Sequence, residues 1–239
     1  MTDYEYQGSE LDLFQHAVNW KAYYASALRP YISGDVLEVG AGLGGTSRFL
    51  CSGSEASWTC LEPDTVLSER LRNALQARPL PVRSRVVRGT LDDLEADARF
   101  DTLLYIDVLE HIEHDRAELA RAARRLRAGG RVIVLSPAHQ WLFSPFDKAI
   151  GHFRRYSRSA LVAAAPPELR LVRAFYLDSV GMLASLANRM LLRADYPTLA
   201  QIKMWDTTIV RVSRVLDPLV GRNIGKTVIA VWTRRDPPE

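Results

Sequence analysis

The chain has 239 residues, 47% of them hydrophobic and 25% charged, which is enough for one full-sized domain and somewhat short for two. That composition excludes a disordered or fibrous chain. A net charge of +3 carries no nucleic-acid footprint, and Arg121, Arg124, Arg125 and Arg127, at helical spacing, read as a solvated face.

The opening MTDYEYQGSELDLF lacks a basic end followed by an apolar run, so no signal peptide is expected. No segment approaches the roughly 20 apolar residues of a membrane span. Leu11, Phe14, Val18, Tyr24 and Leu28 predict a helix over 10–31, with Pro30 and Gly34 punctuating its end. Strand-like and helix-like segments then alternate. Residues 35–39 read as a strand, 46–51 as a helix opening after a glycine loop, 57–61 as a strand and 65–76 as a helix. A short strand at 85–87 and an unbroken apolar one at 100–106 follow. Residues 115–126 form an Ala/Arg-rich helix closed by Gly129 and Gly130, and 131–135 a fifth strand. Residues 136–157 read as a loop rich in aromatic and histidine residues. Beyond it lie a sixth strand at 171–176, helices at 179–192 and 204–219, and a last strand at 227–232. Apolar strands separated by helices imply a parallel sheet covered on both faces, a doubly wound α/β domain. Cys51 and Cys60 offer neither a pairing framework nor metal spacing, and a reduced, cytoplasmic location is expected.

The local pattern that points to function is VLEVGAGLGGT, residues 36–46, where an apolar strand runs into glycines that open a helix. Glycines permit the tight turn and let a ligand approach the backbone. Gly40, Gly42 and Gly45 alone also satisfy a dinucleotide fingerprint. Two acids narrow the choice. Glu38 ends the first strand, where a carboxylate suits a ligand amino group and repels a pyrophosphate. Glu62 ends the second, where a carboxylate accepts hydrogen bonds from a ribose.

With these marks the chain resembles the class I S-adenosylmethionine-dependent methyltransferases, in a small-molecule, type 11/12-like bacterial subgroup. The resemblance rests on LEVGAGLGGTS, LEPD, FDTLLYIDVLEHIEHD and LRAGGRVIVLSPAH, which occur in family order. It implies a Rossmann-like, seven-stranded, mostly parallel sheet whose last strand, near 227–232, is antiparallel. One domain over 1–239 is expected, with 1–34 a helical cap and 136–225 a substrate side. The resemblance implies S-adenosylmethionine as cofactor, with Glu38 near its methionine end and Gly40, Gly42 and Gly44 beside it. Glu62 would bind the ribose, Pro63, Asp64, Thr90 and Leu91 would flank the adenine, and Asp107 would stand at the sheet's carboxyl edge.

Methyl transfer needs alignment and, for a hydroxyl acceptor, removal of a proton. His111, in the LEH element after strand four, suits a base near neutrality, or it only caps the next helix. Residues 136–157 resemble a PAH…D…GH-RRY element of the subgroup. They place His139, Trp141, Phe143, Asp147, His152, Arg155 and Tyr156 beside the methyl group, or form a self-packed loop in which Arg155 pairs with Asp147. His152 and Tyr156 share a face if that stretch is helical. The sequence thus points to catalytic His111, His152 and Tyr156, and to substrate contacts from His139, Trp141, Phe143 and Arg155. No metal is expected, since Glu110, Glu113 and His114 around His111 read as a solvated face. The apolar helix with Leu183, Leu186, Met190 and Leu191 is core, a homodimer contact, a roof over an apolar substrate or a face that touches a membrane surface. The expected reaction is O-methylation of a small natural product. Cyclisation on the same cofactor and NAD(P)-dependent oxidoreduction are the rivals.

Overall fold

Apolar runs bounded by turn residues set the strands, and the central ones bury residues on both faces. The computed structural model describes residues 13–187 and 198–235. Its strands are β1 (Asp35–Val39), β2 (Ser57–Glu62), β3 (Ser84–Arg88), β4 (Phe100–Ile106), β5 (Leu126–Pro137), β6 (Leu169–Leu177) and β7 (Thr227–Arg234). They form one sheet in the order β3-β2-β1-β4-β5-β7-β6. The pairings from β3 across to β5 are parallel, and β7 runs antiparallel between β5 and β6. This is the seven-stranded, mostly parallel arrangement expected, with its antiparallel strand inserted one place in from the edge.

The helices are α1 (Val18–Leu28), α2 (Ser47–Leu50), α3 (Thr65–Ala77), α4 (Asp115–Arg125), α5 (Pro145–Ala149), α6 (Arg158–Ala164), α7 (Ser179–Ala187), α8 (Leu199–Met204) and α9 (Val210–Leu219). Two apolar cores flank the sheet. One joins Tyr24 and Leu28 of α1 and Leu71 of α3 to Val36, Trp58 and Cys60. The other joins Leu119 and Ala122 of α4 and Leu161 of α6 to Leu37, Leu103 and Trp232.

Several boundaries depart from the sequence reading for identifiable reasons. Gly129 and Gly130 lie inside β5; helix α4 has already ended at Arg125, and the strand continues through both glycines. The loop 136–157 contains α5, whose start is capped by Ser144 and Asp147. Helix α6 was not anticipated, although Ser157 caps it by accepting from the Ala160 N–H. The 10–31 helix is α1 with a short turn at Arg29–Tyr31; residues 10–12 lie outside the described residues, as do Met190 and Leu191. The 204–219 helix contains a π-helical turn at Trp205–Ile209, a local distortion of the kind that often marks functional sites.

That turn aims Asp206 at the start of α1. Its carboxylate accepts from the Asn19 N–H (3.1 Å), the Asn19 side-chain amide (2.8 Å) and the Trp20 N–H (2.8 Å). It therefore caps α1 from 187 positions away in sequence, a task usually done by a neighbouring side chain. Asp206→Ala is expected to cost about 2 kcal/mol in urea denaturation, the sum of a lost cap and buried donors left unpaired.

Candidate functional site

Ligands of doubly wound sheets sit beyond the carboxyl ends of the strands where the strand order reverses, here between β1 and β4. A cavity of about 1520 Å³ lies there, larger than the roughly 300–1,000 Å³ typical of a single-ligand cleft. One end is floored by Gly40, Ala41, Gly42 and Gly45 and bounded by Pro63, Thr90 and Leu91; the other is lined by His111, Phe143, His152 and Arg155. Ala184, Ser185 and Ile202 close one apolar side, with Trp205 beside them.

The glycine loop is fixed by packing. Gly40 adopts φ +65°, and a Cβ there would lie 2.7 Å from a Val108 methyl, so only glycine fits. Glu62 pins the loop from below, accepting from the Gly42 N–H at 2.7 Å through Oε2 and from the Asp64 N–H at 3.0 Å through Oε1. Each oxygen keeps a second lone pair, a pair of acceptors that fits the two hydroxyls of a vicinal diol such as a ribose. Burial raises the Glu62 pKa while these backbone N–H bonds lower it. Asp107, with φ +54°, opens to the cavity but lies deep within it. Burial raises its pKa to about 7 against the pull of Lys226 and Lys21.

Some expected site residues stand behind the cavity instead of lining it. Glu38 is buried, and its Oε2 accepts from Ser47 Oγ (2.5 Å) and Trp58 Nε1 (2.9 Å); burial lifts its pKa to about 7. Asp64 caps α3 by accepting from the Leu67 N–H. Gly44, at φ +72°, packs against Leu71. Tyr156 gives its hydroxyl to Asp115 Oδ2 at 2.7 Å; residues 152–155 are not helical, so His152 and Tyr156 share no helix face. His139 stacks on Tyr176 and holds the Gly225 carbonyl, with the exposed Trp141 ring beside it. Arg155 lines the cavity while its guanidinium pairs with both Asp147 oxygens at 2.8 Å. The self-pairing weighed for this loop is thus present.

The histidine end gathers Glu110, His111, Asp147, His152 and Arg155. His152 Nδ1 lies 3.0 Å from Asp147 Oδ1 and its Nε2 3.9 Å from Glu110 Oε1. The His111 ring meets His152 edge to face, 4.5 Å between centroids. Burial and the neighbouring His152 lower the His111 pKa to about 4, so it is a neutral imidazole at physiological pH.

Three further residues escaped the sequence reading. Lys21 of α1 brings Nζ above Gly45, and Tyr24, one turn on, bonds Thr46 at 3.3 Å. Their i, i+3 spacing on a helix next to a glycine loop was the available signal. Lys226 packs over the Trp205 ring at 3.9 Å and pairs with Asp178 at 3.4 Å. Among the described residues no helix is long and apolar enough to cross a membrane.

Residues 37–132 match the family model described as a methyltransferase domain. Over 103 residues the chain is 30% identical to sarcosine/dimethylglycine N-methyltransferase of Aphanothece halophytica, a stretch covering 43% of this chain and 37% of that protein. Over 109 residues it is 32% identical to the chloroplastic tocopherol O-methyltransferase of Arabidopsis thaliana, covering 44% and 30%. The chain thus matches well under half the length of these relatives. Among solved structures, coclaurine N-methyltransferase bound to N-methylheliamine and SAH superposes with a TM-score of 0.61 at 12% identity, covering 91% of this chain and 72% of that one. The [4+2]-cyclase SpnF superposes at 0.60 with 15% identity, covering 99% and 88%. The fold is common to both chemistries.

Proposed function

We propose that the chain is a class I S-adenosylmethionine-dependent methyltransferase, a reading supported by the match of residues 37–132 to a methyltransferase-domain model, and that it transfers the methyl group to a hydroxyl of a small molecule. The observation that carries this reading is the cavity's two-ended character. A diol-reading carboxylate and a glycine floor occupy one end, and a wall of ionisable side chains the other. Glu62 holds the ribose, Thr90, Leu91 and Pro63 flank the adenine, and Gly40 and Gly42 let the ligand lie against the backbone. Glu38, Gly44 and Asp64 support that loop and the turn after β2 from behind. S-adenosylmethionine supplies an electrophilic methyl group whose bonding pair stays on sulfur as the acceptor's lone pair takes the carbon.

The residues of the chain align the two molecules and receive the acceptor's proton. The wall of Glu110, His111 and His152 is the place for that proton, with Asp147 orienting His152. Phe143, Ile202 and Trp205 suit an acceptor with an apolar body, as expected of a natural product. Purified protein with S-adenosylmethionine and a panel of phenols and other hydroxylated natural products is expected to release S-adenosylhomocysteine and a methyl ether. A rearranged product without S-adenosylhomocysteine would instead select the cyclase chemistry.

Asp107 gives the binding step a pH dependence. Its carboxyl titrates near 7, and only the ionised form attracts the cofactor's ammonium. Below that pH a proton must leave before the pair forms. Affinity for S-adenosylhomocysteine, measured by calorimetry, is therefore expected to rise about fivefold from pH 6 to pH 7, about tenfold in all by pH 8, and to level off above that. In Asp107→Asn the profile is expected to be flat.

A further inference from the structure

The side chains that end the acceptor wall form a set that proton transfer alone does not account for. Glu110, His111 and His152 each offer one ligand atom, and these atoms all lie within 4.8 Å of one another. Glu110 is fully buried. Its Oε2 accepts from Ser136 Oγ at 2.5 Å, while Oε1 is, among the described residues, the sole buried side-chain oxygen or nitrogen without a hydrogen-bond partner. A buried acceptor with no donor costs about 1–3 kcal/mol and calls for an explanation such as an ion. The oxygen faces His152 Nε2 at 3.9 Å.

The surroundings orient both rings. His152 Nδ1 is held by Asp147 Oδ1 at 3.0 Å, and Asp147 is itself fixed by Arg155 and Ser144. His111 bonds the Gly151 backbone. A histidine whose other nitrogen is held by a carboxylate or a backbone carbonyl is the usual outer support of a metal ligand. Donors bound to one ion at about 2.0–2.1 Å stand roughly 3.4 Å apart in a tetrahedron, so the set closes with side-chain shifts of about an ångström. Two imidazoles and one carboxylate suit Zn²⁺, Fe²⁺, Co²⁺ or Mn²⁺ better than Mg²⁺ or Ca²⁺, which prefer all-oxygen shells.

We propose that Glu110, His111 and His152 bind one divalent transition-metal ion on the acceptor wall, with its remaining positions open to the cavity. Three protein ligands and an open position are the pattern of a catalytic site, not a structural one. What the ion does there rests on the methyl-transfer reading. A hydroxyl ligated by the ion loses its proton to water at neutral pH; the oxygen lone pair then forms the bond to the methyl carbon, and the carbon–sulfur pair stays on sulfur. The three side chains thereby lower the acceptor's pKa together instead of acting as separate bases.

Chelator-treated full-length protein titrated with Co²⁺, followed by calorimetry and visible absorption, tests the site without any acceptor. Uptake of one ion per chain with new visible bands is expected. His111→Ala and His152→Ala are each expected to weaken uptake by more than about 100-fold, since losing even an outer support costs 10–100-fold. Glu110→Gln, which keeps the shape and the Ser136 contact, is expected to weaken it comparably, and retained S-adenosylhomocysteine binding reports that each variant is folded. Absence of saturable uptake by folded protein, or uptake undiminished in the folded variants, overturns the site. Methyl transfer by ion-free protein that takes up no Co²⁺ sinks the site alone. One ion per chain without S-adenosylhomocysteine binding would sustain the site and sink the methyl-transfer reading.

Discussion

Glu62→Ala is expected to weaken S-adenosylhomocysteine binding by more than 100-fold. The carboxylate has two oxygens, each already tied to one backbone N–H, so it is held ready to accept from both hydroxyls of a ribose. Hydrogen bonds to a charged acceptor are each worth about 1.5–3 kcal/mol, and losing two removes at least about 3 kcal/mol, somewhat over 100-fold. The Gly42 N–H loses its anchor at the same time, so the glycine floor loosens. Glu62→Gln keeps an acceptor oxygen toward one hydroxyl and is expected to lie between the two. Calorimetric titration checks both, and a dissociation constant within threefold of the parent in Glu62→Ala would remove Glu62 from the cofactor site.

Asp178→Ala is expected to be the most destabilising single change near the cavity. Asp178 is fully buried and accepts from Trp205 Nε1 (2.7 Å), Ser213 Oγ (2.6 Å) and the Gly181 N–H (3.0 Å). It also balances the Lys226 ammonium. Its own N–H donates to Asp217 at 2.6 Å, and Asp217 also accepts from Tyr23 and caps α7 through Ser179. The network thus ties α1, α7, the π-helical turn and α9 to the ends of β6 and β7. Removing one partner of a buried ion pair costs about 3–5 kcal/mol, which for a chain of this size lowers Tm by roughly 10 °C. Differential scanning calorimetry is the measurement. Asp178→Asn, which tolerates φ +65° and keeps an acceptor oxygen, is expected to lose much less, and equal losses in the two variants would argue against the ion pair as the cause.

How much of this was legible in sequence depended on how local the determinants were. β1 and β4 were predicted to the residue because each is an apolar run ended by a polar or glycine turn. Gly40, Gly42, Glu62 and Asp107, expected at a ligand, line the cavity for the same reason: they sit at or just beyond strand ends, where the sheet opens onto it. Glu38 and Tyr156 were expected at the ligand, yet their polar atoms turn to Trp58 and Asp115. Nothing in the immediate sequence announces such partners. Lys226 and Trp205 reach the cavity only because β7 is inserted beside β5 and because a π-helical turn rotates one side chain inward. The unpartnered Glu110 oxygen was invisible as well. Glu110, Glu113 and His114 read as a solvated face, whereas the short turn at Leu109–His111 buries the first of them.

The placement of β7 also bears on how the protein comes to be made. β5 pairs with β7 along Arg131–Pro137, and β6 is joined to the sheet only through β7. As the chain emerges from the ribosome, β3-β2-β1-β4-β5 can assemble with its glycine loop in place. The far edge of β5 and the whole of β6 must then wait for residues 227–234. Until they arrive, an apolar strand edge stands open to misplaced pairing, and Lys226 has not yet reached the cavity. The half that holds the glycine loop can thus mature first, and the half beyond β5 closes with a contact nearly a hundred residues long, a slow kind of closure.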